Sequence, residues 1–415
     1  MENVTFIQQT HFKPTEIGEL PKDWEVIKVI DFLDFERGTE VGSENYNKRG
    51  DGIRFIRVVD VSGSRDEILY TTSSNVRLCS ENDVLITFDG SPGIVKRGLS
   101  GAYSSGIRKV IIKDDRITLD FISYVLTTPF VQKIIQKYST GVTIKHASKS
   151  IPHIKIPLPP LDEQKAIAFV LSTIQEAKKT ERVITAAREL KKSMMKHLFT
   201  YGPVSLKEAE KVKLKETEIG MMPEEWEVVE LKDIAENRNE TVNPLKEDSI
   251  YIGLEHITPG EIKLSRFGYS NEVKSSKLKF YKDDILYAKL RPYLDKGAIA
   301  EFEGICSTDI IIIQPNKRLV NPQYLAYFMH IPKFKEFAIK SMTGVNHPRT
   351  HWSSLKNFKL PLPPLPIKQR IAEILSAIDE KIQAEEKKKQ ALENLFKSML
   401  HYLMSGKIRI EGLED

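Results

Sequence analysis

Residues Thr15–Val26 read TEIGELPKDWEV, and residues Thr217–Val228 read TEIGMMPEEWEV, so the same opening sequence occurs twice in this chain of 415 residues. Two later segments recur at nearly the same distance: LPPL at 158–161 and 362–365, and an apolar run at 167–174 and 371–378. The spacing of 202 to 204 residues is much longer than a solenoid repeat of roughly 20–50 residues. The repeat therefore predicts two whole domains of one design, each followed by one helix.

Composition narrows the class of protein without naming a function. The 62 basic and 57 acidic residues nearly cancel, leaving a net charge of +5, so nucleic-acid binding has to be argued from where the charges lie. The only cysteines, Cys79 and Cys306, stand alone, which favours a reducing compartment over a disulfide framework or a zinc site. With no apolar stretch near eighteen residues and no signal-peptide core, we expect a soluble, cytoplasmic protein.

Each copy has short β-type runs separated by Gly, Pro, Asn and Ser clusters. The predicted strands are 53–61, 83–88 and 110–112 in the first copy, and 250–257, 284–287 and 310–313 in the second. One predicted helix follows in each, at 120–137 and 322–340. Because strands are grouped and do not alternate with helices, we expect two pseudo-symmetric α+β domains in tandem.

Two long helices are predicted after the proline-rich segments 156–161 and 360–365. Apolar residues recur every three or four positions in 162–200 and 366–404, and each segment would span about 60 Å. The predicted seam consists of Ile167, Leu171, Ile174, Ile184, Met194, Leu198, Ile371, Leu375, Ile378, Ile382, Leu392, Leu395 and Met399. Either the helices pair as a coiled coil, or each packs back on its own domain. The prolines would fix the exit angle of each helix, or serve as a ligand for a partner protein.

Catalytic motifs are scarce in the sequence. It has no phosphate-binding GxxxxGK[ST] loop, no GxGxxG after a strand, and no defensible catalytic triad or carboxylate pair. Asn321-Pro-Gln-Tyr324 is close to the loop with which amino-methyltransferases hold a flipped base. Its simpler interpretation is a cap for the helix that contains Tyr324.

Two loop regions in each copy combine cations, amides and glycine, at 89–98 and 139–149, and at 289–297 and 343–351. Glycine lets the backbone approach a phosphate, and Arg, Asn and Gln can hydrogen-bond base edges. The candidate DNA contacts are Arg57, Ser91, Lys96, Arg97, Arg108, Thr143, Lys145, His146 and Lys149 in the first copy, and Lys289, Arg291, Tyr293, Lys296, Asn346, His347, Arg349 and His351 in the second. Anchors such as Thr-Gly-Val are repeated while their neighbours differ, which is typical of two readers with different targets.

Several of these motifs occur together in one known family. They are the duplicated opening, the strands that begin at Asp83 and Asp284, the segment STGVTIKH at 139–146, and Pro-Pro-Leu-Asp-Glu163-Gln164 at a helix start. Over nearly its whole length the chain resembles the specificity subunit of type I restriction-modification enzymes. The second copy departs from the pattern, because Ile367-Lys368 stands where the first has Glu-Gln.

The resemblance implies a non-catalytic, DNA-binding subunit of a restriction system. Two target-recognition domains, 1–158 and 205–362, would each read half of a bipartite site in double-stranded DNA. Two spacer helices, 159–204 and 363–415 with its tail, would form a long antiparallel two-helix coiled coil between them. The implied partners are two methyltransferase subunits and further restriction or motor subunits. S-adenosylmethionine, ATP and Mg²⁺ would belong to those partners, with no cofactor in this chain. The alternatives are a stand-alone adenine methyltransferase or nuclease, and a coiled-coil scaffold that binds only protein.

Overall fold

The computed structural model describes residues 5–64, 67–177, 181–243 and 249–411. The chain forms two compact units, each taken separately below. Unit 1 comprises Met1–Thr180 and Lys388–Asp415, and unit 2 comprises Glu181–Lys387. Each unit therefore combines one copy of the repeat with residues from the helix that follows the other copy.

The duplicated opening folds as a small hairpin in each unit. Strand Phe12–Thr15 pairs with Gly18–Pro21 in unit 1, and Leu214–Thr217 pairs with Gly220–Pro223 in unit 2. Both glycines have positive φ, at 121° for Gly18 and 104° for Gly220, which a side chain would make costly. The threonine hydroxyls donate to the carbonyls of these glycines. The Thr-Glu-Ile-Gly repeat is thus explained by one turn used twice.

Unit 1 contains two main sheets. The four-stranded sheet is antiparallel, in the order Val95–Lys96, Leu85–Thr87, Ile107–Ile112, Leu33–Arg37. The five-stranded sheet has the order Tyr46–Asn47, Leu69–Thr71, Ile53–Ile56, Gly101–Tyr103, Leu78–Cys79. In it Ile53–Ile56 and Gly101–Tyr103 are parallel. Smaller pairs join Glu25–Lys28 to Lys155–Leu158, Asp89–Gly90 to Lys145–His146, and Thr5–Gln8 to Ile408–Glu411.

Unit 2 repeats the order of the four-stranded sheet. Its five-stranded sheet repeats four strands of unit 1 but places the fifth, Thr241–Val242, at the edge opposite to that of Tyr46–Asn47. Its four-stranded sheet runs Gly297–Ile299, Ile285–Ala288, Ile310–Pro315, Ala235–Arg238. Its five-stranded sheet runs Gly268–Tyr269, Ile250–Ile252, Gly304–Cys306, Lys277–Phe280, Thr241–Val242, and again one central pair is parallel. Glu227–Glu230 pairs with Lys359–Leu362. The expected pair of pseudo-symmetric α+β domains is confirmed, and apart from these two edge strands the two main sheets of each unit correspond.

Several predicted elements are shorter than expected. Strand Ile53–Ile56 gives way to helix Val58–Ser62, and strand Ile250–Ile252 gives way to a 3-10 turn at Leu254–His256. Each predicted domain helix is two helices, Leu119–Val125 with Pro129–Lys137, and Pro322–Phe328 with Pro332–Lys340. The second helix starts at a proline each time, because proline disfavours helix in the residue before it. The remaining short helices and turns are Val29–Phe32, Ser43–Asn45, Ser148–His153, Leu206–Ala209, Leu231–Ile234, Ser270–Glu272, Pro292–Leu294 and Trp352–Leu355.

The long helices agree closely with the sequence pattern. The described helices are Leu161–Ala177, Glu181–Tyr201 and Leu365–Met404, and residues 178–180 lie outside the described part. In unit 2 the helices run antiparallel, because Lys191 pairs with Asp379 at 2.7 Å while Arg188, one turn earlier, pairs with Glu386 at 2.5 Å. None of the helices in the described residues is long and apolar enough to cross a membrane.

The helices pack into the domain cores as well as against each other. Ile167 and Leu171 share the core of unit 1 with Leu400 and Leu403, and Leu198, Ile371 and Leu375 lie in that of unit 2. Ile184 and Ile382 are also buried, while Ile174, Met194, Ile378, Leu392 and Met399 are half-buried. Each of the two alternatives therefore holds in part. A continuous coiled-coil seam stays a prediction.

One predicted seam residue is wrong. Leu395 is 45% exposed, and its neighbour Phe396 packs on the core of unit 1 with its ring 6.2 Å from that of Tyr124. One residue turns a helix by about 100°, so a shift of one position exchanges the buried face for the solvent face. Residues 385–389, EEKKK, interrupt the apolar pattern, so the pattern does not define which face of the helix is buried beyond them.

Candidate nucleic-acid interface

The two loop regions predicted in each copy lie side by side in the structure. In unit 1, Asp89–Gly90 pairs antiparallel with Lys145–His146. In unit 2, Leu290 and Arg349 form the corresponding bridge. The separate loop predictions therefore describe one surface per unit, which we call the loop platform: residues 89–98 with 139–149 in unit 1, and 289–297 with 343–351 in unit 2.

The second loop of each platform is a tight hairpin. Thr140 and His146 exchange two backbone hydrogen bonds, of 2.9 and 2.7 Å, and Thr343 and Arg349 exchange two of 2.9 Å. Gly141 and Gly344 follow the threonines with φ of 100° and 92°. The backbone is thus the same in both units, although the side chains at and beyond the tip differ.

The unit 1 platform exposes a set of uncommitted polar and basic groups. Ser91, Lys96, Thr143, Lys145 and Lys149 are all exposed. His146 is exposed as well, but its Nδ1 lies 2.7 Å from Oδ1 of Asp89 on the neighbouring strand. A carboxylate there orients the imidazole, because it favours a proton on the nitrogen that faces it.

The unit 2 platform uses an arginine where unit 1 uses a histidine. Arg349 occupies the hairpin position of His146 and forms two hydrogen bonds with Asp309, Nε–Oδ1 at 2.8 Å and Nη2–Oδ2 at 3.3 Å. The hydrogen bond from Arg349 lowers the pKa of Asp309, so this carboxyl stays ionised. Asn346, His347 and His351 are exposed around the pair, and Lys289 is half-buried beneath it.

A strained turn presents two more of the predicted residues in unit 2. Arg291 and Asp295 have left-handed φ, 53° and 55°, on either side of the turn Pro292–Leu294. Such backbone costs of order 1 kcal/mol or more for residues other than glycine and persists only when the surroundings hold it. Asp295 Oδ1 lies 2.9 Å from Nδ1 of His330, whose side chain is 5% exposed. The turn leaves Arg291 and Tyr293 exposed.

Four further predicted DNA contacts are already engaged within the protein. Arg108 is buried, donates to the carbonyls of Ser105 and Ile107 and to Ser148, and burial lowers its pKa. Arg57 holds Asp60 at 3.1 Å and the carbonyl of Glu67 at 2.8 Å. Arg97 pairs with Asp120, and Lys296 donates to the carbonyl of Leu254. In this arrangement Arg108 is a structural residue, which corrects the prediction, and the other three shape their loops.

The Asn321 motif serves the fold. Its Oδ1 accepts a hydrogen bond of 2.9 Å from the backbone N–H of Tyr324, and the fully buried Tyr324 hydroxyl donates to the carbonyl of Pro361. Thr118 caps the corresponding helix in unit 1, at 3.3 Å from the N–H of Phe121. The capping interpretation is confirmed. Within the described residues, no group of three or more His, Cys, Asp or Glu side chains could hold a metal ion.

The sequence pattern did not predict the carboxylates that orient these groups. Asp309 lies 40 residues before Arg349, and nothing in the local pattern connects them. It also gave no separate role to the valines at the hairpin tips, although their repetition was visible.

Comparison with known proteins identifies the family. The sequence model described as type I restriction modification DNA specificity domain matches residues 21–187 and 223–394. The chain belongs to this family. It is 29% identical to the type I restriction enzyme MjaVIII specificity subunit of Methanocaldococcus jannaschii over 98% of each chain, and 25% identical to the EcoDI specificity subunit of Escherichia coli over 85% of this chain and 81% of that one.

Solved specificity subunits share the fold. The crystal structure of the S subunit from M. genitalium superposes with a TM-score of 0.64 at 17% identity, covering 92% of this chain and 96% of that chain. The family model matches twice, once in each copy of the repeat, so the chain contains two target-recognition domains. The chain is therefore the DNA-recognition subunit of a type I system, which is a non-catalytic component of the enzyme.

Proposed function

We propose that each loop platform reads one half of a bipartite DNA site. The supporting observation is that the hairpins of the two platforms share their backbone hydrogen bonds and differ in the side chains they expose. A common scaffold with different donors and acceptors suits two different short sequences. The contacts proposed are the exposed members of the predicted set, such as Lys145 and Lys149 in unit 1 and Arg291 and Asn346 in unit 2.

The proposal keeps the domain boundaries expected from the sequence, 1–158 and 205–362, with 159–204 and 363–415 as the spacer. Two methyltransferase subunits would dock on the two pseudo-equivalent halves, and restriction subunits would join through them. Support comes from the repeated architecture and from a solved structure of a type I system that concerns its complex assembly, on which this chain superposes with a TM-score of 0.51. S-adenosylmethionine, ATP and Mg²⁺ would be bound by those partners. Because the target is chromosomal DNA, a cytoplasmic location belongs to the proposal.

The test is to map methylated positions in cells that express this chain with its methyltransferase. In unit 1 the variant is T143A/K145A, and in unit 2 it is N346A/H347A. Each variant should lower the sequence specificity at one half-site and leave the other half-site and the spacing unchanged, since base contacts act locally. Lys207→Ala, another exposed lysine, is the matched control and should leave the pattern unchanged. A variant that relaxes both halves equally, or neither, would refute the assignment of one platform to one half-site.

A further inference from the structure

Two valines at the platform tips are held in solvent. Val142 is 103% exposed and Val345 is 97% exposed, and they are the most exposed large hydrophobic side chains in the described chain, followed by Leu206 at 79%. They lie 203 residues apart, at the same place in the two hairpins. Apolar side chains in full contact with water contribute nothing to the stability of the fold.

The loop geometry prevents these side chains from folding inward. Gly141 has φ of 100°, and a Cβ on it would lie 2.1 Å from the carbonyl oxygen of Ile144. Gly344 has φ of 92° and a corresponding approach of 3.2 Å to the carbonyl oxygen of His347. Each glycine therefore fixes a tight bend and places the valine at its apex. The hairpin hydrogen bonds below the bend keep it in position.

The charge of the loops indicates what covers the valines. Neither residues 139–149 nor residues 341–351 contain an aspartate or glutamate, while Lys145 and Lys149 are exposed beside the first tip. Such surroundings suit an anionic partner. The side chains after the two valines differ, as expected for contacts to two different half-sites, whereas valine is the same in both. What two different half-sites share is the duplex itself.

We infer that Val142 and Val345 are equivalent DNA contacts that pack against the apolar sugar and base-edge surface of the groove entered by each hairpin. They add affinity to both half-sites without selecting a base. The neighbouring polar residues read the sequence from the position that the valines secure. The inference rests on the proposed function.

The experiment uses the complete complex of this chain with its methyltransferase subunits and a duplex that carries the mapped site. Binding is measured between 50 and 200 mM KCl for V142S, V345S and L206S. Each valine variant should bind about tenfold more weakly (about 1.4 kcal/mol) on specific and non-specific duplexes alike. The slope of log K against log salt should stay at the parent value, because no phosphate contact is lost. Lys149→Ala should instead reduce that slope by about one.

V142L, which keeps an apolar tip, should retain parental binding, as should L206S. Binding by V142S and V345S at the parental level would overturn the inference while leaving the proposed function intact. If the parent complex itself prefers no duplex, the proposed function fails instead. Failure of the valine variants to assemble with the methyltransferase would show that the tips contact protein, and a lowered melting temperature would show that they support the fold. Either of these last two results also overturns the inference.

Discussion

Replacing Glu163 by alanine should loosen the attachment of the first long helix to unit 1. Glu163 is 7% exposed. Its carboxylate accepts a hydrogen bond of 3.0 Å from the indole N–H of Trp24 and two from the guanidinium of Arg409, of which the one from Nη2 is 2.6 Å long. Burial opposes the charge on Arg409, but its hydrogen bonds to Glu163 and Asp23 outweigh this and raise its pKa. One carboxylate thus joins three distant parts of the chain.

The magnitude follows from the groups left behind. Glu163→Ala leaves the N–H of the fully buried Trp24 without an acceptor, which costs about 1–3 kcal/mol. It also removes one of the two carboxylates of Arg409, and breaking a buried pair costs about 3–5 kcal/mol in total. We expect the free energy of unfolding to fall by about 3 kcal/mol. This lowers the urea midpoint by about 1 M, if the free energy of unfolding changes by about 3 kcal/mol per M of urea.

Tryptophan fluorescence can follow unit 1 alone, because Trp24 is its only tryptophan and the other two, Trp226 and Trp352, belong to unit 2. Urea unfolding is therefore measured in a W226F/W352F background. Asp162→Ala is the matched control: its side chain is 91% exposed in the same first helical turn, so its loss should cost less than about 1 kcal/mol. Equal midpoints for the two variants would refute the reasoning.

Two further predictions concern unit 2. Asn321→Ala should lower the free energy of unfolding by about 1 kcal/mol, because the N–H of Tyr324 loses its cap. Asn321→Ser, which can still cap the helix, should keep both stability and DNA methylation by the complex. Loss of methylation in a stable serine variant would contradict the capping role. The lowered pKa of Asp309 means that its pair with Arg349 stabilises the fold above the ordinary aspartate pKa of 3.8, and that this contribution disappears as pH falls through the lowered pKa. The difference in free energy of unfolding between the parent and Arg349→Met should therefore vanish at low pH. Carboxyl NMR should show the pKa of Asp309 rising toward 3.8 in the variant. An unchanged pKa would contradict the pairing.

Lys368, which replaces glutamine in the second copy, makes the same kind of contact as Gln164 in the first. In unit 1, Gln164 donates to the carbonyl of Arg116 at 2.8 Å. In unit 2, Lys368 donates to the carbonyl of Leu319, 203 residues after Arg116. The ammonium group replaces the amide as donor to the same backbone position. Burial lowers the pKa of Lys368, because the charged ammonium group is less stable there than in water.

The sequence predicted the architecture well because its signals are repeated and regular. Duplicated motifs identified two domains, and apolar spacing placed the long helix Leu365–Met404 within one residue of its observed start. The prediction failed where a local signal was overlooked or was weak. Proline at 129 and 332 begins a new helix in each domain, and the exposed Leu395 shows that a weak apolar pattern does not fix helix register.

The candidate site was predictable as a region but not as a set of contacts. Composition shows that a loop is basic, but it does not show which cations already have acceptors inside the protein. The buried guanidinium of Arg108 lies 3.0 Å from the hydroxyl of Ser148, 40 residues later, and only the folded chain brings them together. Which exposed residues contact DNA stays a prediction.

Unit 1 is built from two separate segments of the chain, and this affects the order in which the protein folds during synthesis. Leu400 and Leu403 belong to its core, and Arg409 completes the contact to Glu163, so unit 1 needs residues made after all of unit 2. Unit 2 is continuous in sequence, from Glu181 to Lys387. Domains usually fold in the order in which they leave the ribosome. Here the domain translated first is the last to receive all of its parts, so a prematurely terminated chain would carry one finished reader and one with an open core.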